Sequence, residues 1–210
     1  MTPADFLAAV NAVNGAAGQE DFIRILSAQW ERVRDLAMDD DLVKDGRKFV
    51  ANNDWRKFLS GLNGPPKLVV VADNPGTKEA ECGVYLHPEG GAGPIARQFL
   101  DAASNSDAMK SGWAIALNKS SFYTPDTEEL SAFFRRDDLT PALQEAQTKD
   151  QQWNGRTVAR IAGALRIPIL VVGHKKMLGF FLPFTKALRA EALKLARFIR
   201  RQAGTDGKSA

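Results

Sequence analysis

The strongest constraint on this chain is one short run, Leu68-Val69-Val70-Val71-Ala72, which stops abruptly at Asp73-Asn74-Pro75-Gly76. Consecutive β-branched and large apolar residues, too few for a helix and without polar alternation, predict a strand buried on both faces, as in a parallel sheet. Asn74 is held extended because it precedes proline, and Gly76 accepts whatever φ the turn demands. Asp73 and Asn74 are therefore placed at the carboxyl end of a buried strand, where open α/β sheets bind ligands. Two further runs behave alike. Trp113 to Leu117 ends in Asn118-Lys119-Ser120-Ser121, and Ile167 to Val172 ends in Gly173-His174-Lys175-Lys176. Helical text separates the three runs, so the strands are expected to lie parallel with right-handed crossovers, bringing Asp73, Asn74, Asn118 and His174 to one edge. The predicted fold class is α/β, a three-layer α/β/α arrangement with a short parallel sheet of three to four strands.

Hydrophobic period places the helices. Thr2 and Pro3 open one, and Glu20 to Met38 forms a second, with Phe22, Ile25, Leu26, Trp30 and Val33 at helical spacing. A third is expected from a cap at Asp39-Asp40-Asp41 to about Leu62, those aspartates reading as a solvated first turn rather than a metal site. After the first strand come a long turn, Thr77 to Gly93, and a helix from Pro94 to Ala103. Later helices are expected from Thr124 to Arg136, Thr140 to Thr148, Asn154 to Leu165 and Leu182 to Gln202. The division is an N-terminal helical region (1–64) packed on an α/β core (65–181), then a basic helix and tail (182–210), one structural domain overall.

Composition narrows the function classes. Apolar content of 44% and charged content of 25% are ordinary globular values. No apolar run approaches a membrane span, and Met1-Thr2-Pro3-Ala4-Asp5 lacks the basic and apolar regions of a signal peptide, so a soluble, cytoplasmic protein is expected. One cysteine, Cys82, allows no intrachain disulfide and no cysteine-held cluster or zinc; with only His87 and His174 besides, neither metal nor cofactor is expected. The net charge of +3 is unevenly placed: from Arg166 onward ten Lys and Arg face two acids, whereas the preceding residues carry eighteen against twenty-three. On the last helix Lys186, Arg189, Lys194, Arg197, Arg200 and Arg201 fall within an arc of roughly 140°. Lys175, Lys176, Lys186, Arg189, Arg197 and Arg201 are the candidate nucleic-acid contacts. Gly90-Gly91-Ala92-Gly93 sets backbone N–H groups before a helix, an anion-attracting arrangement, but no G-x-x-x-x-G-K pattern accompanies it.

In order and spacing, residues from Lys67 to Met177 resemble the uracil-DNA glycosylase superfamily. Its first motif follows the first sheet strand and reads G-Q-D-P-Y, G-I-N-P-G or G-E-A-P-G in different branches; Ala72-Asp73-Asn74-Pro75-Gly76 is similar to that set. The seven residues Thr77 to Gly83, a short segment, and then Gly93 with its helix are similar to the continuation in the iron–sulfur branch. The strand ending at Asn118 resembles the one whose terminal asparagine pairs with the base edge, and Ile169 to Lys175 resembles a later strand ending in glycine. The resemblance implies that Asn74 holds the attacking water and Asn118 reads the base. It implies for Asp73 the place of the iron–sulfur branch's glutamate, as base or charge stabiliser. Leu86 stands where the stacking phenylalanine falls, with Tyr85 as the nearby ring. The cluster cysteines are absent, and so is the late His-Pro-Ser motif; His174 lies one strand early for that histidine's role.

The expected function is a glycosylase-like hydrolase that excises a damaged or deaminated base from DNA, duplex or single-stranded, by extruding it and directing water at the sugar. The alternatives are an inactive relative that binds nucleic acid or a protein, and a hydrolase of small nucleosides or nucleotides. Tyr85 reads as a packing residue as readily as a stacking platform. Cys82 with His87 five residues on reads as a semi-buried thiol before it reads as a nucleophile pair.

Overall fold

The computed structural model describes residues 18–60, 64–173 and 179–206, with side chains up to residue 196. The helix expected from Thr2, and His174, Lys175 and Lys176, lie outside the described residues; so do the side chains of Arg197 and Arg201.

Helix α1 (Gln19–Ala37) carries Glu20 and Asp21 in its first turn and buries Phe22, Leu26 and Val33 along one stripe. The single helix expected from Asp39 to about Leu62 does not form. That stretch instead contains a 3-10 turn at Asp40–Leu42, a tight turn closed by the Lys44–Arg47 bridge, a second 3-10 turn at Asn53–Trp55, and α2 (Arg56–Leu59). The reason is non-local. The free edge of the second strand needs cover, and Asn52 Nδ2 and Trp55 Nε1 both donate to the Ala116 carbonyl, at 3.3 and 2.9 Å. Phe49 pairs with Phe122, and Val50 N–H donates to Ser121 O at 2.9 Å.

Strand β1 (Leu68–Ala72) is followed by α3 (Thr77–Cys82), within what sequence spacing reads as a long turn, and by α4 (Gly93–Ser104). Strand β2 (Ala114–Asn118), α5 (Thr127–Phe133), α6 (Pro141–Leu165), β3 (Ile169–Val171) and α7 (Leu182–Asp206) complete the order. The three strands form one parallel sheet of order β2-β1-β3, with Ala72 opposite Asn118 and Val71 opposite Val171. After β2 the chain crosses back over β1, so two right-handed connections put α4 on one face and α6 on the other. Helices α1 and α7 both pack along α6, which completes the three layers of an α/β fold.

Helix α6 unites the two helices expected at Thr140–Thr148 and Asn154–Leu165. The polar residues between them read as a break, yet Gln147, Asp150, Gln151, Asn154 and Thr157 are buried. They form a polar spine. Asp150 accepts from Arg32 at 3.1 Å and from Ser121 N–H at 2.6 Å, while Asn154 bridges Gln29 and Ser121, at 2.7 and 3.2 Å. The main apolar cluster joins Phe22 and Leu26 of α1 to β1 and β2, Leu100 of α4 and Val158 and Ile161 of α6. A second cluster, with Phe49, Phe122, Phe133, Leu143 and Phe181, lies beside the carboxyl edge. Among the described residues no helix is long and apolar enough to cross a membrane.

Candidate active site

The connection after β1 leaves toward the α4 face, whereas those after β2 and β3 leave toward α6 and α7. A crevice at the carboxyl ends of such strands is where open α/β sheets bind ligands. It is present as a cleft of about 320 Å³, bounded by Asp73 and Asn74, the start of α3, Leu86, the Gly90–Gly93 turn, Thr124–Thr127 and Gly173. That volume is at the lower end of the range for small-molecule sites, about 300–1,000 Å³.

Asn74 is 8% exposed, and its Nδ2 donates to Thr124 Oγ1 at 3.0 Å and to Pro75 O at 3.1 Å. The Thr124 hydroxyl donates onward to Asp126 O at 2.8 Å, so both partners act as acceptors and the amide has one orientation. Its Oδ1 is buried and has no hydrogen-bond partner among the described residues. A buried acceptor left open is costly.

Asp73 is engaged differently. Its carboxylate pairs with Lys119 Nζ, both side chains being buried, and Lys119 also donates to Val172 O at 3.0 Å and lies 5.1 Å from the Phe181 ring centre. The carboxylate fills the space over Gly173, where φ is +129° and an added Cβ would lie 2.1 Å from Asp73 Oδ1. One ion pair thus ties together the carboxyl ends of all three strands. Sequence reading missed Lys119, because a lysine after a strand reads as a solvated turn residue.

Asn118 is 2% exposed and ends β2 beside Ala72; neither of its amide atoms has a hydrogen-bond partner among the described residues. It is not among the residues that line the cleft. Tyr85 points into the core: its hydroxyl donates to Val50 O and its ring meets Trp55 edge-on at 5.8 Å. Burial pushes its phenol well above the usual range, so it stays neutral. Leu86, its neighbour, lines the cleft with a left-handed φ of +52°. For a leucine that conformation is strained and needs support from both sides. Glu79 supplies one, accepting from the N–H of Leu86 and from that of Gly76 at 2.9 Å; Arg97 supplies the other, donating from Nε to Leu86 O. Burial raises the Glu79 pKa while those backbone N–H groups oppose the rise. Sequence reading missed Glu79 because Thr77 to Gly93 reads as a long turn; the available signal was an acid three residues after Gly76, the position that caps a first helical turn.

The basic helix does not run along the cleft. Phe181, just before α7, lies at the carboxyl edge, and Leu195 lies against Gly163 near the end of α6, so α7 leads away from that edge. Lys186 and Arg189 are exposed on its first turns; Arg197 and Arg201 come further along it. Among the described residues no group of three or more His, Cys, Asp and Glu side chains is placed to hold a metal ion. No family model, curated protein or solved structure matches the chain.

Proposed function

We propose that the protein is a uracil-DNA glycosylase-like hydrolase, cleaving the N-glycosidic bond of a damaged or deaminated base held in the carboxyl-edge cleft. The observation that carries this reading is the open Oδ1 of Asn74. An unspent acceptor on an amide fixed by Thr124 and Pro75, in a residue that lines the cleft, is suited to orienting a water molecule once a substrate opens a way to it. Water oxygen bonds to the anomeric carbon, the carbon–nitrogen bond breaks with its electron pair leaving on the base, and the proton the water loses ends on that base, giving free base and sugar hydroxyl. Asp73, held by Lys119, acts as a fixed negative charge near the oxocarbenium-like sugar rather than as a mobile base. Asn118 has an amide whose donor and acceptor are both unspent but does not line the cleft, so reading a base edge with it requires the end of β2 to open toward the base.

A second reading, an inactive relative that binds without cleaving, draws on the lining, which contains no aromatic ring among the described residues; Leu86 replaces the stacking platform. Single-turnover cleavage of oligonucleotides carrying uracil, hypoxanthine or xanthine separates the two. Base release that is lost in Asn74→Ala and Asn118→Ala, and retained or raised in Asn74→Asp, supports hydrolysis at this cleft. No release from any substrate overturns it.

A further inference from the structure

A second concavity, of about 430 Å³, lies between α6 and the first turns of α7, with Gln152 and Arg156 on one wall and Leu182, Pro183, Lys186 and Ala187 on the other. Arg156 and Lys186 are exposed and have no acidic partner among the described residues. The acids of this face are already engaged: Glu145 with Lys149 at 2.7 Å, and Glu191 with Arg160 and Lys194 at 2.7 and 3.6 Å. Among the described residues Arg156, Lys186 and Arg189 are left as uncompensated charge, while Leu182, 45% exposed, and Pro183 add apolar surface beside them. The concavity opens one residue beyond Phe181, whose ring lies beside Lys119, the partner of Asp73. Its Leu182 end thus lies near the level of the carboxyl edge, although groove and cleft share no lining residue. At the cleft itself Asp126 is exposed and Lys78 is paired to Glu81 at 2.9 Å, and Glu89, next to the Gly90–Gly93 turn, is exposed as well. A polyanion is repelled at Asp126 and Glu89 and attracted at Arg156 and Lys186.

We infer that the α6–α7 groove carries the sugar–phosphate backbone of the nucleic-acid strand whose base enters the cleft, Arg156 and Lys186 each meeting one phosphate. This rests on the glycosylase reading and gives its substrate a path. Arg156 offers a planar fork for phosphate oxygens and Lys186 a compact charge, and Leu182 and Pro183 offer a surface for deoxyribose.

The test is equilibrium binding, by fluorescence anisotropy, of a labelled single-stranded oligonucleotide without uracil, over a series of salt concentrations. Arg156→Ala/Lys186→Ala is compared with Lys67→Ala/Lys110→Ala, which removes the same charge from exposed positions preceding β1 and β2, at the amino edge. The groove variant is expected to weaken binding on the order of tenfold or more at low salt. Its log–log salt slope should fall by about 1.4, roughly 0.7 for each phosphate on a single strand. The amino-edge variant keeps the wild-type slope. Equal losses in both variants, or no binding by the wild type, overturn the proposal. So does equally tight, groove-dependent binding of polyglutamate, which makes the groove a general site for acidic partners. Base release is read separately, so cleavage without groove dependence defeats this inference alone, and groove-dependent binding without cleavage defeats the glycosylase reading alone.

Discussion

Replacing Gly155 by alanine tests whether α6 and α7 are locked at one separation, on which the groove between them depends. In a helix interior, alanine in place of glycine is favourable by about 1 kcal/mol. At Gly155, however, an added Cβ would lie 2.4 Å from Phe184 O, 2.9 Å from Leu188 N and 3.2 Å from Ala187 Cβ. The first two are backbone atoms, which no rotamer change can move. The helices must part by up to about 1 Å, and a gap of that size forfeits a quarter to a half of the attraction at each facing atom pair. Overpacking of this kind costs about 1–3 kcal/mol, and a backbone clash belongs at the upper end. Subtracting the propensity gain leaves a net loss of about 2 kcal/mol. Gly163 is the internal control: its added Cβ would meet Leu195 Cδ1 at 2.8 Å, with the next atoms at 3.7 Å. A shift of that leucine costs about 0.5–1.5 kcal/mol, so Gly163→Ala should be close to neutral. Urea unfolding of the three proteins, compared at common slope, gives the two differences. A Gly155→Ala protein as stable as the wild type, or one less destabilised than Gly163→Ala, refutes the close crossing.

Two further predictions concern buried charge. Lys119→Met removes the amine from beside a buried carboxylate and should cost about 3–5 kcal/mol, most of it recovered when Asp73→Asn is added; strictly additive losses in a double-mutant cycle would show the pair to be uncoupled. Glu191 and Asp150 should bend the pH profile of the urea midpoint in opposite directions. The hydrogen bond from Arg160 lowers the Glu191 pKa, so its stabilisation is present above the ordinary glutamate range and lost as pH falls through the lowered value. Glu191→Gln should flatten that acid limb. Burial raises the Asp150 pKa, so its contribution is greatest at low pH and lost as pH rises through the raised value. The deficit of Asp150→Asn relative to wild type should therefore shrink with rising pH, and a deficit that grows would contradict the assignment.

How much of this the chain declares in advance depends on whether a feature is local. The strands are legible because Leu68 to Ala72 and its counterparts have no amphipathic alternative, and the break at Pro75-Gly76 marks Asp73 and Asn74 as edge residues. The path from Val43 to Leu59 is not legible. Its caps and charges suit a helix, and only the uncovered edge of β2, far off in sequence, draws Asn52 and Trp55 out of one. Helix α6 is misread for a related reason: hydrophobic period finds buried faces only when they are apolar, and here Asp150, Gln151 and Asn154 point inward. Tyr85 and Leu86 show the limit at one residue's scale. Both are nearly inaccessible, but the turn at Leu86 gives the cleft the aliphatic side chain and sends the ring to Trp55.

The polar spine of α6 then has a consequence for the cleft. Asp150 and Asn154 hold Ser121, and Gln147 and Ser120 hydrogen-bond each other at about 3 Å, so the chain leaving β2 is pinned from the α6 side. From the other side the same segment follows β1: Lys119 N–H donates to Ala72 O, Ser120 N–H to Asp73 O and Thr124 N–H to Pro75 O. Thr124 is thereby delivered to Asn74, whose amide it orients. Well-packed apolar residues in place of such a network are often neutral or favourable for stability. They would remove the α6-side partners of Ser120 and Ser121 and leave the register that sets Thr124 to the β1-side bonds alone. A buried polar face on α6 is thus accounted for by what it positions rather than by what it stabilises, and the open oxygen of Asn74 lies at the end of that chain of contacts.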